Sequence, residues 1–227
     1  MNVTQALLTR QSARAFLPTP VPQSEVAALL DLARWAPSGS NIQPWRVHTL
    51  TGEPMRALIA TVTAAASSDA PLPEQEYLYY ASPLPEPYLA RRRANGWGLY
   101  GHLGIVKGDR VASGREALRN FSFFGAPVGL FFFIDTALAQ GSWLDYGTFL
   151  QSFMLAARER GLHTCPQAAW LPYHAAIKAH CGVDPQATLV CGMALGHIDP
   201  AAHVNAFRTP REPVAAFATY AGFGAGR

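Results

Sequence analysis

Two apolar runs, Val128 to Ile134 and Ala187 to Leu195, do most to limit what this 227-residue chain can fold into. Both are branched or aromatic almost throughout and bounded by turn residues, which predicts strands buried on both faces. Between them, Leu144 to Arg160 carries Phe149, Leu150, Phe153, Met154 and Leu155 around most of a helical circumference. A helix apolar nearly all round belongs in a core or in a subunit interface. Gln23 to Trp35 has apolar residues at 26, 29, 30, 32 and 33, a helical period, with Ser24 as a possible cap beside Pro22. Trp45 to Leu50 predicts a short strand, and Glu53 to about Thr63 a helix. An Ala-, Ser- and Pro-rich loop follows, then two further helices over 87–107 and 109–121. The chain reads as one mixed helix-and-strand domain without internal repeats.

Three polar segments interrupt this scaffold. Ala33 to Trp45 runs from an apolar helix into a loop bracketed by Pro37 and Pro44. Proline denies the backbone a donor and restricts the residue before it, so Ser38, Ser40, Asn41 and Gln43 lie on a stiff loop with hydroxyls and amides on offer. Arg10-Gln11-Ser12-Ala13-Arg14 follows a short N-terminal helical pattern. If extended, it presents residues 10, 12 and 14 on one face. That face is either a pair of solvated arginines or an anion site, since guanidinium pairs with phosphate through two parallel hydrogen bonds. The third segment, Asn205 to Pro213, holds Arg208 and Arg211 in a proline-stiffened tail.

Taken in order, these segments resemble the flavin-binding elements of the nitroreductase family. Arg10-x-Ser12-x-Arg14 with Phe16 and Pro20-Val21-Pro22 looks like that family's opening. Ala36 to Trp45 looks like its second flavin-contacting loop, Gly161 to Gln167 its third, and Arg208 to Pro213 its last. Leu99-Tyr100-x-x-Leu103-Gly104 and Asn120-Phe121-x-Phe123-Phe124-Gly125-Ala126-Pro127 resemble the nitrobenzoate reductase subgroup.

The resemblance implies an α+β fold: a central, mostly antiparallel sheet surrounded by helices, in an intertwined homodimer. It implies a single domain over 1–227 with a helical or lid-like excursion around 66–125. It further implies FMN as cofactor, NADH or NADPH as electron donor, and a small electron-poor aromatic acceptor such as a nitroaromatic, reduced by a ping-pong cycle. Arg10, Gln11, Ser12, Arg14, Arg208 and Arg211 would bind the phosphate and ring edge. Pro166, Gln167 and Ala168 would lie along the ring, with a backbone N–H near 168 facing it. Pro37, Ser38, Gly39 and Asn41 would reach the flavin of the other subunit. Tyr100, Phe123 and Phe124 are candidates for the aromatic cover of a substrate pocket, or else core residues. The flavin carries the chemistry, so no catalytic side chain is expected, and His163 reads as structural. A flavin store or sensor, and related flavin chemistry such as dehalogenation or ene reduction, share the same elements.

Other classes find little support. The formal charge of +3 is small and dispersed. Arg91-Arg92-Arg93 lacks the interleaved aromatics that stack bases, so it reads as a solvated helix face rather than a nucleic-acid site. Gly96-Trp97-Gly98-Leu99-Tyr100-Gly101 fits the dinucleotide glycine pattern, but no hydrophobic strand precedes it. Cys165, Cys181 and Cys191 are odd in number and unpatterned, as reduced buried thiols of a cytoplasmic protein would be. No metal-ligand spacing is present. The longest apolar stretch falls short of the ~20 residues that span a bilayer. With 49% hydrophobic and 15% charged residues, the composition suits a chain that hides surface in an oligomer.

Overall fold

The computed structural model describes residues 1–223. Four strands form one antiparallel sheet in the order β1 (Arg46–Leu50), β2 (Val128–Asp135), β4 (Ala187–Gly196), β3 (His163–Gln167). The two apolar runs are the two central strands, paired from Val128↔Leu195 to Asp135↔Ala187. Phe131 and Phe133 of β2 enter one core, with Trp170, with Leu58 of α3 (Gly52–Ala66) and with Ile177 of α7 (His174–Cys181). Leu130, Phe132 and Ile134 enter the other, against Leu29 of α2 (Gln23–Ala33) and Tyr146, Phe149 and Phe153 of α6 (Gln140–Glu159). Antiparallel strands usually alternate apolar and polar because one face is wet; covering both faces removes the polar positions. Gly129 and Gly192 let rings approach the sheet: a Cβ at either would collide with Phe123 or Trp170, respectively.

The strand β3 was not legible in the sequence, because Pro166 lies inside it. Proline is tolerated there because β3 closes the sheet and need not donate on both sides. Its outer side meets the N-terminal segment. Helix α1 (Val3–Thr9) stops at Arg10, which is extended at ψ 130°. Ser12 then bridges Thr164, and the Ala13 N–H donates to the Thr164 carbonyl at 3.0 Å.

Residues 67–87 contain no helix or strand; α4 (Tyr88–His102) and α5 (Arg110–Leu118) follow. Both helices are shorter than their sequence pattern suggests. Gly104 and Gly108 take φ of 68° and 95°, a conformation that stops a right-handed helix and is open chiefly to glycine. Gly96, Gly98 and Gly101 sit inside α4 and form no strand–turn–helix. Gly98 instead lets the Phe207 ring come so close that a Cβ would lie 2.7 Å from it.

The irregular stretch is tied to the sheet at one point. Strand β3 covers β4 only from Gly192 to Gly196, and the β2–β4 register slips where Leu189 and Cys191 face Phe133 and Phe132. Two adjacent side chains fill the gap. Glu76 Oε2 accepts from the Leu189 N–H at 2.9 Å, and the Tyr77 hydroxyl donates to the Val190 carbonyl at 2.6 Å. Glu76 also pairs with Lys178 and lies 3.5 Å from His174 Nδ1. Backbone groups that a bulge frees must find partners elsewhere; here they find Glu76 and Tyr77. Among the described residues, no helix is long and apolar enough to cross a membrane.

Candidate functional site

A cavity of about 510 Å³ brings together arginines from opposite ends of the chain: Arg10 and Arg14 from the segment beside β3, Arg208 and Arg211 from the tail. Gln11, Ser12 and Asn95 share its wall, and among the described residues no Asp or Glu lines it. The Arg10 guanidinium is held below its ordinary basicity, first by burial and then by the like charges of Arg211 and Arg208. Crowded cations without a counter-charge are costly in a partly buried site, and an anion relieves that cost.

The backbone around Arg14 is fixed from two sides. The Arg14 N–H donates to Asn205 Oδ1 at 2.8 Å, while Asn205 Nδ2 donates to the carbonyls of Ala15 and Asp199, both at 2.9 Å. Arg119 donates to the Arg14 carbonyl at 2.7 Å and pairs with Glu116 at 3.1 Å. Asn205 is buried, and its three hydrogen bonds join the arginine segment to the tail.

Arg14 also borders a second, larger cavity of about 940 Å³. Binding sites for small molecules typically measure roughly 300–1,000 Å³. One wall comprises Cys165, Pro166, Gln167 and Ala168 at the end of β3; the other comprises Tyr77, Tyr79, Tyr80 and Arg92, with Asn120 and Phe124 between. Gln167 is buried and its amide donates to the Asn120 carbonyl at 2.8 Å. Gln167 Oε1 and Gln11 Oε1 are both buried and have no partner among the described residues. Buried acceptors left empty are uncommon in native proteins and mark places where a ligand can complete the network. Burial pushes the Cys165 thiol up to about 11, so it stays protonated and unreactive. His163, on β3, is pushed down to about 4 by burial and then by Arg158, Arg208 and His197. It is therefore uncharged at neutral pH and is no ready proton donor.

The structure thus brings together Arg10, Gln11, Ser12, Arg14, Arg208, Arg211, Pro166, Gln167, Ala168 and Phe124. Pro37, Ser38, Gly39 and Asn41 lie elsewhere in this protomer and line neither cavity. Their loop docks on α6, where Gly39 N–H donates to Asp145 Oδ2 at 3.0 Å and Thr148 donates to the Pro37 carbonyl at 3.1 Å. It turns tightly, with Ser40, Asn41 and Gln43 at φ of 50°, 57° and 49°. Two candidates for the aromatic cover line neither cavity of this chain. Phe123 is fully buried, tilted against Trp170 with ring centres 4.6 Å apart, because the glycine at 129 leaves room for it in the core. Tyr100 borders neither cavity; it sits about a third of a turn round α4 from the Arg92 and Asn95 stripe. Phe123 and Phe124 take φ of 48° and 55°, so the chain turns sharply enough to send one ring into the core and the next to the cavity.

Asn205, Asn120, Arg92 and Asn95 are site residues that sequence reasoning did not single out. Asn205 and Asn120 belong to motifs that pattern alone could have flagged, whereas Arg92 and Asn95 are placed only by the docking of α4.

Comparison with known proteins sets this geometry in context. The model of the Nitroreductase family matches residues 7–197. A 4-nitrobenzoate reductase of Pseudomonas putida is 44% identical over 217 residues, covering 95% of this chain and 93% of the relative. A chloronitrobenzene nitroreductase of Comamonas testosteroni is 39% identical, covering 93% of each. Among solved structures, an FMN- and NADPH-dependent nitroreductase of Sphigopyxis sp. strain HMH superposes with a TM-score of 0.93 at 34% identity, covering 98% of this chain and 100% of that one.

Proposed function

The chain belongs to the nitroreductase family, and from that premise we propose that it is an FMN-dependent oxidoreductase that reduces nitroaromatic acceptors with NADH or NADPH. One observation carries this reading: a cavity lined by four arginines and, among the described residues, by no acid shares Arg14 with a larger aromatic-walled cleft. A phosphorylated planar cofactor has the same two-part chemistry. FMN, when bound, supplies hydride acceptance from the nicotinamide donor and hydride delivery to the acceptor.

The residues of this chain hold and bias that cofactor. Arg10, Ser12, Arg14, Arg208 and Arg211 receive the phosphate, offering charge-assisted hydrogen bonds of about 1.5–3 kcal/mol each. Gln11 and Gln167 bring acceptors that lack partners among the described residues. Pro166, Gln167 and Ala168 would form a wall for the bound cofactor, and Arg14, on the same cavity, would supply positive charge that favours electron uptake. Tyr77, Tyr79, Tyr80 and Phe124 limit water in the acceptor space.

The loop of Pro37, Ser38, Gly39 and Asn41 serves the site of a second copy in a homodimer. Exposed apolar side chains on several elements support that assembly: Leu8, Trp35, Leu144, Phe217 and Tyr220 are each between 67% and 76% exposed. Apolar surface on this scale in a charge-poor chain favours burial by a partner.

The test is optical. Purified protein should show flavin absorbance, lose it within seconds on anaerobic mixing with NADPH or NADH, and regain it on adding 4-nitrobenzoate. Double-reciprocal plots against both substrates should be parallel. A coloured protein that neither nicotinamide reduces would instead be a flavin carrier, and colourless material that does not take up FMN would end the reading altogether.

A further inference from the structure

The basic run Arg91-Arg92-Arg93 reads in sequence as one solvated face, and all three residues are exposed, but their contacts differ. Arg91 Nε pairs with Glu212 at 2.9 Å. Arg92 turns to the larger cavity and lies over Tyr80, its guanidinium carbon 4.5 Å from the ring centre. Among the described residues Arg92 makes no ion pair. Glu76, on the same cavity, is already engaged by Lys178.

An arginine backed by an aromatic ring keeps its donor edge free, because stacking uses the face of the guanidinium and leaves its N–H groups in the plane. That edge matches a carboxylate through two parallel hydrogen bonds. Its position is also fixed from below. Tyr80 packs edge-on against Tyr79 at 4.7 Å, Tyr79 neighbours Tyr77 at 6.4 Å, and Tyr77 is bonded to the Val190 carbonyl of β4. Arg92 is thus placed through a chain of contacts that ends on the central sheet.

We propose that Arg92 is the specificity-determining residue that binds the carboxylate of an anionic nitroaromatic, an acceptor of the nitrobenzoate class. The assignment rests on the reductase reading above and names the acceptor for that same cleft. The scaffold leaves the choice open, since one relative is a 4-nitrobenzoate reductase and another a chloronitrobenzene nitroreductase. A free, ring-backed guanidinium decides for the charged acceptor. Phosphate has its own four arginines, of which Arg92 is not one.

The experiment compares wild type, R92A and R92K, each loaded with FMN, on 4-nitrobenzoate and on nitrobenzene. The ratio of kcat/KM for the two acceptors should fall several-fold in R92A, the loss expected for one charge-assisted pairing at an exposed side chain. R92K, which keeps the charge but not the fork, should recover only part of it. Calorimetric titration with benzoate, which cannot be reduced, should show a matching rise in Kd, and benzamide no such rise. An unchanged ratio with both acceptors still reduced would overturn the assignment of Arg92 alone. A higher NADPH requirement in R92A, with NADH unaffected, would give Arg92 to a phosphate of the donor and overturn it too. Wild-type protein that takes up FMN and reduces neither acceptor would bring down the reductase reading, and this assignment with it.

Discussion

The two walls of the larger cavity are built on different principles. The inner wall is backbone on backbone: β3 pairs with β4 from His163↔Gly196 to Gln167↔Gly192, and Ser12 and Ala13 add to the outside of β3. The outer wall, residues 73–80 with α4, has no strand of its own, and α4 has no buried residue. Side chains hold it, through Glu76 and Tyr77 on β4 and through Arg91 and His203 at the two ends of α4. A ladder of main-chain bonds is indifferent to most substitutions, so the inner wall can keep one geometry for one cofactor. A wall hung from a few side chains can be reshaped by single replacements. This division suits a scaffold whose solved neighbours include FMN-dependent nitroreductases and whose relatives are named for different acceptors.

The largest effect should come from the inner wall. Replacing Arg10 and Arg14 together by alanine removes two of the four guanidinium groups, so FMN should be lost on desalting, with affinity down on the order of a hundred-fold or more. The apoprotein should melt no lower than wild type, because Arg10 is half-buried and repelled by Arg211 and Arg208, and its removal relieves both costs. Cofactor retained at wild-type occupancy would break the comparison at its root.

Next in size is Asn205→Ala. Its side chain makes three hydrogen bonds that join the arginine segment to the residues before the tail. Their loss should cost about 2–4 kcal/mol. Thermal melting of the FMN-free protein reads this directly, and a melting temperature unchanged from wild type would show that β3 and Arg119 hold the arginine segment without Asn205.

Much of the inner wall was legible from the sequence. Arginine spacing, the proline-bounded loop and the run ending at Gln167 act through local patterns, and local patterns survive in a linear reading. The buried strands were legible for the same reason, as β2 and β4 have no polar position to blur them. What escaped depends on docking. Strand β3 was hidden by Pro166, whose tolerance depends on lying at the end of the sheet. Phe123 and Phe124 are adjacent and chemically alike, and only the left-handed turn between them decides which ring reaches the cavity. The role of Gly98 is visible only once Phe207 lies against it. Arg92 looked like its two neighbours until Tyr80, twelve residues earlier in an irregular stretch, came beneath it.

The outer wall is tested by Tyr77→Phe, which removes one hydroxyl and keeps the ring against Trp143. The Val190 carbonyl then loses its donor at 2.6 Å, at a cost of about 1–2 kcal/mol. In a protein of this size that lowers the melting temperature by roughly 2–8 °C. The KM for a nitroaromatic acceptor should rise several-fold while FMN affinity stays within about two-fold, the two walls being independent. Equal losses of acceptor and cofactor binding would show instead that the clamp supports the whole cleft.

The smallest effect is a pH dependence confined to the inner wall. His163 is held at about 4 in the folded protein, chiefly by burial and further by Arg158 and Arg208, against an ordinary 6.5. Between these values the unfolded chain takes up a proton that the folded chain refuses. The imidazole therefore adds nothing against stability above pH 6.5, and stability falls as the pH drops from 6.5 toward 4. His163→Leu removes the titrating group, so its melting temperature should decline less steeply than that of wild type over this range. At pH 7 the acceptor kinetics of the variant should match wild type, since an uncharged ring donates no proton to the reaction. Parallel declines in the two proteins would mean that acid sensitivity arises elsewhere. A loss of acceptor reduction at pH 7, with FMN still bound, would mean that His163 takes part in the chemistry after all.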